Sequence, residues 1–195
     1  LIKDMVSSFR NYERGYGDIV LQANYDDVSY GVLEYAIEKL GVKSVELKLG
    51  QAAKGIQAIS KKLSLEEAKD LKARGRLVFP DPGSDEITKL ISSGFKPAFR
   101  IMGRLPMYSE EKLAAYIKSL RGMGAKRVML KVGGYDRKDL ELTLKIASEA
   151  EADLVTFDSA GGGTGDSPCR MMNEWGLPAL YLESIIWDIL NRMKK

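Results

Sequence analysis

This sequence predicts an α/β fold, on three observations. Short apolar runs alternate with amphipathic stretches at helical spacing, the connections between them are brief, and no linker, charge block or low-complexity segment interrupts the 195 residues. Such alternation implies parallel strands joined by right-handed crossovers, arranged either as an open doubly wound sheet or as a (β/α) barrel. The chain reads as a single α/β domain, 1–195, with room for a proper core. Its repeating unit is the βα unit itself, since the units share no fixed consensus.

The elements follow in order. The opening LIKDMVSSFRNYERGYG has no strong period and reads as a short helix or lead-in. DIVLQANY, from Asp18 to Tyr25, is a compact apolar run and so a strand. Asp26 is the cap candidate for the next helix, in which Val28, Val32, Leu33, Tyr35, Ala36 and Leu40 recur at helical spacing. VKSVELKLG, Val42 to Gly50, alternates apolar and polar residues as a strand with one buried face does, and AAKGIQAISKK reads as a loop. SLEEAKDLKARG carries a capping box in Ser64 and Glu67 and closes on Gly75. RLVFP and KPAFRIMG are read as further strands, with a turn and short helix between them. Ser109 opens the helix SEEKLAAYIKSLRGMG, RVMLKVGG is a strand, Asp136 caps the helix DRKDLELTLKIASEAEA, and LVTFD is a strand. A glycine-rich loop, a helix to Trp175, a short strand at LPALYL and the amphipathic ESIIWDILNRMKK complete the series.

Composition removes several classes of chemistry. The formal net charge is +3, but Lys and Arg are interleaved with Asp and Glu, which argues against nucleic acid as a partner. No apolar run approaches the ~18 residues of a membrane span, and the first residues lack a signal-peptide core, so a cytoplasmic protein with no membrane partner is expected. The single cysteine, Cys169, allows no internal disulfide and cannot by itself hold an iron–sulfur cluster. Histidine is absent, which excludes Ser-His-Asp and Cys-His nucleophilic machinery and imidazole metal ligation; no metal site is expected. Lys, carboxylates, Tyr or a borrowed cofactor are left to carry any chemistry.

In either α/β architecture, functional residues gather where strands end and helices begin. That rule selects Asn24 and Asp26, the Gly50–Gly55 loop, Arg100 to Arg104, Lys131 to Gly134, and Asp158 to Gly165. Two of these stretches are unusual. LVTFDSAGGGTGDSP runs from a strand through Gly161, Gly162, Gly163 and Gly165 to Ser167 and Pro168, a bare-backbone loop ahead of a helix start, suited to close approach of backbone N–H groups to a ligand. It is neither GxGxxG nor a P-loop. Lys48, Gln51 and Lys54 stand three residues apart at the end of the second strand. Lys48 either points inward, partly desolvated and ready for an anion, or shares a solvated face with Glu46 while Val45, Leu47 and Leu49 face the core.

These segments resemble a known family. KLGQAAKG resembles the K-x-x-Q-G-A-K-P-G segment of the FMN-binding domain of glutamate synthases, and ADLVTFDSAGGGTGDSP resembles that domain's A-D-x-(apolar)-x-D-G-x-x-GGTG-A-S-P segment. YSEEKLAAYIKSLRGMGAKRVMLKVGG and GLPALYLESIIWDIL resemble the stretches between and after them. Ala52 stands where the family has Gly, and the Pro of K-P-G is missing.

The resemblance implies a TIM-type (β/α) barrel, incomplete in this chain, with FMN at the carboxyl face. There 2-oxoglutarate and ammonia, or a related pair, would be joined by reduction at a carbon–nitrogen bond. It implies that Lys54 and Lys48 act in catalysis, Lys54 beside the reacting nitrogen and Lys48 on the substrate carboxylate or flavin. Gln51, Gly162, Gly163, Thr164 and Gly165 would line the cofactor pocket, and Lys131 and Asp158, selected by their place at strand ends, are expected to bind the cofactor with them. The partners implied are a small dicarboxylate or amino acid, and another chain that completes the barrel or supplies ammonia or electrons. The competing expectations are a ligand-binding or assembly module of the same fold that has lost the flavin, and an unrelated βα enzyme that holds a phosphate ester.

Overall fold

The computed structural model describes residues 1–49, 58–102, 110–134, 136–160 and 176–194. They fall into two compact units, Leu1–Gly55 with Pro106–Lys195, and Ile56–Leu105.

The first unit is built on a parallel sheet of four strands, β1 (Val20–Ala23), β2 (Ser44–Lys48), β6 (Arg127–Gly133) and β7 (Leu154–Asp158), in the order β1-β2-β6-β7. The order never reverses. Its helices are α1 (Ile2–Tyr12), α2 (Tyr25–Ser29), α3 (Val32–Leu40), α6 (Glu110–Gly122), α7 (Arg137–Glu149) and α8 (Ala179–Met193). Alternation along the strands decides where the core lies. Ala23, Val45, Leu47, Val128 and Leu130 are buried against Val6 of α1, Leu33 and Ile37 of α3, Leu113, Ile117 and Leu120 of α6, and Ala147 of α7. Phe157 packs with Leu140 and Leu144 of α7 and Leu182 and Ile189 of α8. All these helices therefore share one sheet face, and the other face carries the alternate residues, which are mostly polar. Closure into a barrel is not seen among the described residues.

Local chemistry explains the element ends. Asn24, not the expected Asp26, caps α2: its side chain accepts from the N–H groups of Asp26 and Asp27, and Asp27 returns the bond to the Asn24 N–H. Asn fits the extended backbone at that position, one residue ahead of the helix, which leaves Asp26 in the first turn. Asp136 caps α7 through the N–H groups of Lys138 and Asp139, as expected. Gly41 ends α3 at φ +63°, a left-handed geometry that favours glycine. The LPALYL stretch is not a strand. Pro178 sits at the N-cap of α8, and Leu182, Ile185, Ile186 and Ile189 turn one stripe inward at helical spacing, so the apolar run is the start of a fifteen-residue helix.

The second unit corrects the expectation of uninterrupted parallel strands. β3 (Ala58–Leu63), β4 (Leu77–Phe79) and β5 (Phe99–Met102) form a separate antiparallel sheet in the order β3-β5-β4, with α4 (Leu65–Ala73) and α5 (Asp85–Ser92). Its core is Leu63, Ala68, Val78, Phe99 and Ile101. Hydrophobic period reports element type but not strand direction, so the short apolar runs at 77–79 and 99–102 were open to either pairing. β3 lies partly within the segment expected as a loop; it gains its strand geometry from pairing with β5, which no local pattern announces. The Ser64–Glu67 capping box of α4 is present as predicted.

Candidate functional site

The polar face of the parallel sheet is organised in layers, because laterally paired residues in a parallel sheet point the same way and every second residue repeats the direction. At the amino end Ser44 pairs with Arg127. The Ser44 hydroxyl, 1% exposed, donates to Asp18 and accepts from Arg127 Nε at 3.0 Å, while the Arg127 guanidinium also reaches Asp18. The hydrogen bond from Ser44 is the main cause holding the Asp18 carboxyl below its ordinary range; partial burial opposes it and Arg127 assists.

One layer on, Gln22, Glu46 and Met129 are neighbours in register. Gln22 Nε2 donates to Glu46 Oε1 at 2.5 Å, and Thr156 Oγ1 donates to Glu46 Oε2 at 3.1 Å, a bond that spans β6.

The carboxyl-end layer holds the predicted site residues that are described. Lys48 pairs laterally with Lys131, and Lys131 with Thr156. The Leu49 N–H donates to the Lys131 carbonyl at 2.8 Å, which extends the β2–β6 ladder past Lys48. Asp158 lies opposite Gly133 at the end of β7. Lys131 Nζ stands 3.7 Å from Asp158 Oδ2, an ion pair too long for a hydrogen bond, with the two side chains 22% and 17% exposed. Asp158 Oδ2 is itself buried and has no hydrogen-bond partner. Gly134 follows immediately, and a Cβ there would come within 3.4 Å of both the Asp158 carbonyl and Leu182, so the absence of a side chain lets the ends of β6 and β7 run close together.

Of the residues expected to form the site, Lys48, Lys131 and Asp158 thus share one face and one end of the sheet. Lys54, Gln51, Gly162, Gly163, Thr164 and Gly165 lie outside the described residues. Their flanks are placed: β2 runs to Lys48, and the Ala160 N–H donates to the Leu177 carbonyl at 2.8 Å, which joins the chain ahead of the glycine run to the chain ahead of α8. Two strand-end candidates take other roles. Asn24 is occupied in capping, and Arg100 belongs to β5 of the antiparallel sheet, opposite Phe79. A groove of 370 Å³ lined by Ile117, Lys118, Arg121, Glu149 and Glu151 belongs to the helix layer rather than to the polar face.

Sequence reasoning missed Gln22, Glu46 and Thr156. A signal was available: each is the polar member of an apolar–polar alternation, two residues ahead of Asn24, Lys48 and Asp158. Among the described residues no group of three or more Cys, Asp or Glu could hold a metal ion, and no helix is long and apolar enough to cross a membrane.

A single-wound parallel sheet with helices on one face and a charged carboxyl edge on the other defines an α/β domain of the kind that places ligands at strand ends. Residues 101–185 match the family model described as conserved region in glutamate synthase. The comparisons with curated proteins and with solved structures gave no match.

Proposed function

We propose that this protein is a glutamate synthase-like, FMN-dependent oxidoreductase acting on the carbon–nitrogen bond of an amino acid, with 2-oxoglutarate and ammonia or a related pair as reactants. The observation that carries the reading is the carboxyl edge of the sheet. Lys48 and Lys131 lie side by side, and a buried Asp158 oxygen lacks a donor directly ahead of the glycine run. A buried carboxylate oxygen without a partner is costly, and a ligand N–H or O–H would satisfy it. FMN offers both kinds of donor together with an anionic phosphate, and a dicarboxylate substrate needs cations, so the donor set fits the group and its substrate.

When bound, FMN supplies the hydride chemistry that none of these side chains can perform. The chain's own residues bind and orient. Lys48 and Lys131 balance negative charge on substrate or flavin, and Asp158 accepts a hydrogen bond while holding Lys131. On the family resemblance, Gln51 hydrogen-bonds the flavin or substrate, Lys54 holds a proton near the reacting nitrogen, and Gly162, Gly163, Thr164 and Gly165 bring main-chain donors to the ring. The one-sided helix layer and unreversed strand order suit a barrel wall, whose further strands would come from another chain or from a further part of the same protein. Another chain would complete the barrel or supply ammonia or electrons. A cytoplasmic setting belongs to the same reading.

The test is a titration with FMN, followed by absorbance, of the protein with and without a candidate completing chain. A yellow protein with a flavin band is expected; a colourless protein that takes up no FMN under either condition overturns the proposal. Lys48→Met is expected to abolish amino-acid formation with the fold intact, and unchanged turnover would return Lys48 to a surface role.

A further inference from the structure

We infer that Glu46 is a positioning residue: its carboxylate braces β7 against β2 and so fixes where Asp158 stands relative to the lysine-bearing end of β2. The inference rests on the flavoenzyme reading only for its functional consequence. β7 is an edge strand, with backbone pairing to β6 on one side and no other strand among the described residues. An edge strand with a single ladder is free to shift or fray at its end. Polar-face contacts that reach it from elsewhere in the sheet include the 3.7 Å ion pair between Lys131 and Asp158 and the 3.1 Å bond from Thr156 to Glu46. The second comes from β2. Glu46 is itself fixed by Gln22 on β1, so one carboxylate ties β1, β2 and β7 together directly beneath the cationic layer. Thr156 lies two residues before Asp158 on the same face, so a shift of Thr156 carries Asp158 with it.

The experiment compares Glu46→Gln and Glu46→Ala with the unaltered protein by amide hydrogen exchange without ligand and by FMN titration. Gln retains an acceptor for Gln22 and a side-chain amide that can donate to the Thr156 oxygen, so it should keep the brace without the charge. In Glu46→Ala the amides of residues 156–160 should exchange at least about tenfold faster, with the amides of 44–45 and 127–128 unchanged. FMN affinity should fall about tenfold, as expected for the loss of a positioning bond. Glu46→Gln should restore both. Unchanged exchange at 156–160 in Glu46→Ala overturns the inference, and so does faster exchange with undiminished FMN affinity. Loss of affinity that Glu46→Gln fails to restore also overturns it, because charge rather than geometry would then be responsible. If the unaltered protein takes no FMN while exchange responds as described, the positioning of β7 stands and the flavoenzyme reading falls.

Discussion

The two ends of one sheet face solve the same physical problem in opposite ways. At the amino end, Asp18, Ser44 and Arg127 satisfy one another, and the buried serine both donates and accepts. At the carboxyl end, Lys131 and Asp158 stand slightly too far apart to hydrogen-bond, and a buried oxygen is left without a donor. A closed polar network rigidifies a structure, whereas an open one costs stability and is retained where a ligand completes it. The difference teaches that the amino end fastens the strands, while the carboxyl end keeps a buried oxygen unpaired, which under the proposed function a ligand would satisfy.

The comparison can be broken by substitution. The largest effect on stability is expected from Arg127→Met, which leaves Ser44 and Asp18 without their cation. A loss of about 1 kcal/mol in denaturant unfolding, with FMN affinity unchanged, would support the assignment, and a larger loss of affinity than of stability would reverse the roles of the two ends. Asp158→Asn should do the opposite. Removing an incompletely paired carboxylate should leave the unfolding midpoint unchanged or raised, while FMN affinity falls about tenfold, roughly 1.4 kcal/mol. A destabilised variant with full affinity would make Asp158 structural.

The smallest effect is the pH dependence of Asp18. Its folded-state pKa is depressed, so the stability it contributes is present above its ordinary value of 3.8 and is lost as pH falls through the lowered folded-state value. Because the side chain is 39% exposed, solvent screening keeps this below about 1 kcal/mol. Asp18→Asn should flatten the acid limb of the stability curve by that amount, and an unchanged limb would detach Asp18 from the network.

The candidate site was legible in proportion to how far it depended on residues close in sequence. Lys48 was visible as a cation ending an alternating strand, and Asp158 as a carboxylate ending an apolar run before glycines. Their common edge with Lys131 depended on strand order, which joins residues about a hundred positions apart. Asp18, Ser44 and Arg127 were unreadable as a unit for the same reason: each is an ordinary strand-end residue until β1, β2 and β6 are laid side by side. The glycine-run expectations, Gly162, Gly163, Thr164 and Gly165, and the turn residues Gln51 and Lys54, remain readings of the sequence.

By itself the sequence determined the succession of helices and most strands, the Ser64–Glu67 and Asp136 caps, and the match of residues 101–185 to the conserved region in glutamate synthase, because propensity, capping and motif are written in neighbouring residues. Only the tertiary structure decided that β3, β4 and β5 pair antiparallel in a unit of their own, and that LPALYL joins a helix. It alone decided that Glu46 reaches from β2 to Thr156 on β7. Strand direction and cross-strand reach are set by which distant segment is present to accept a hydrogen bond or cover an apolar face, and no local period carries that information.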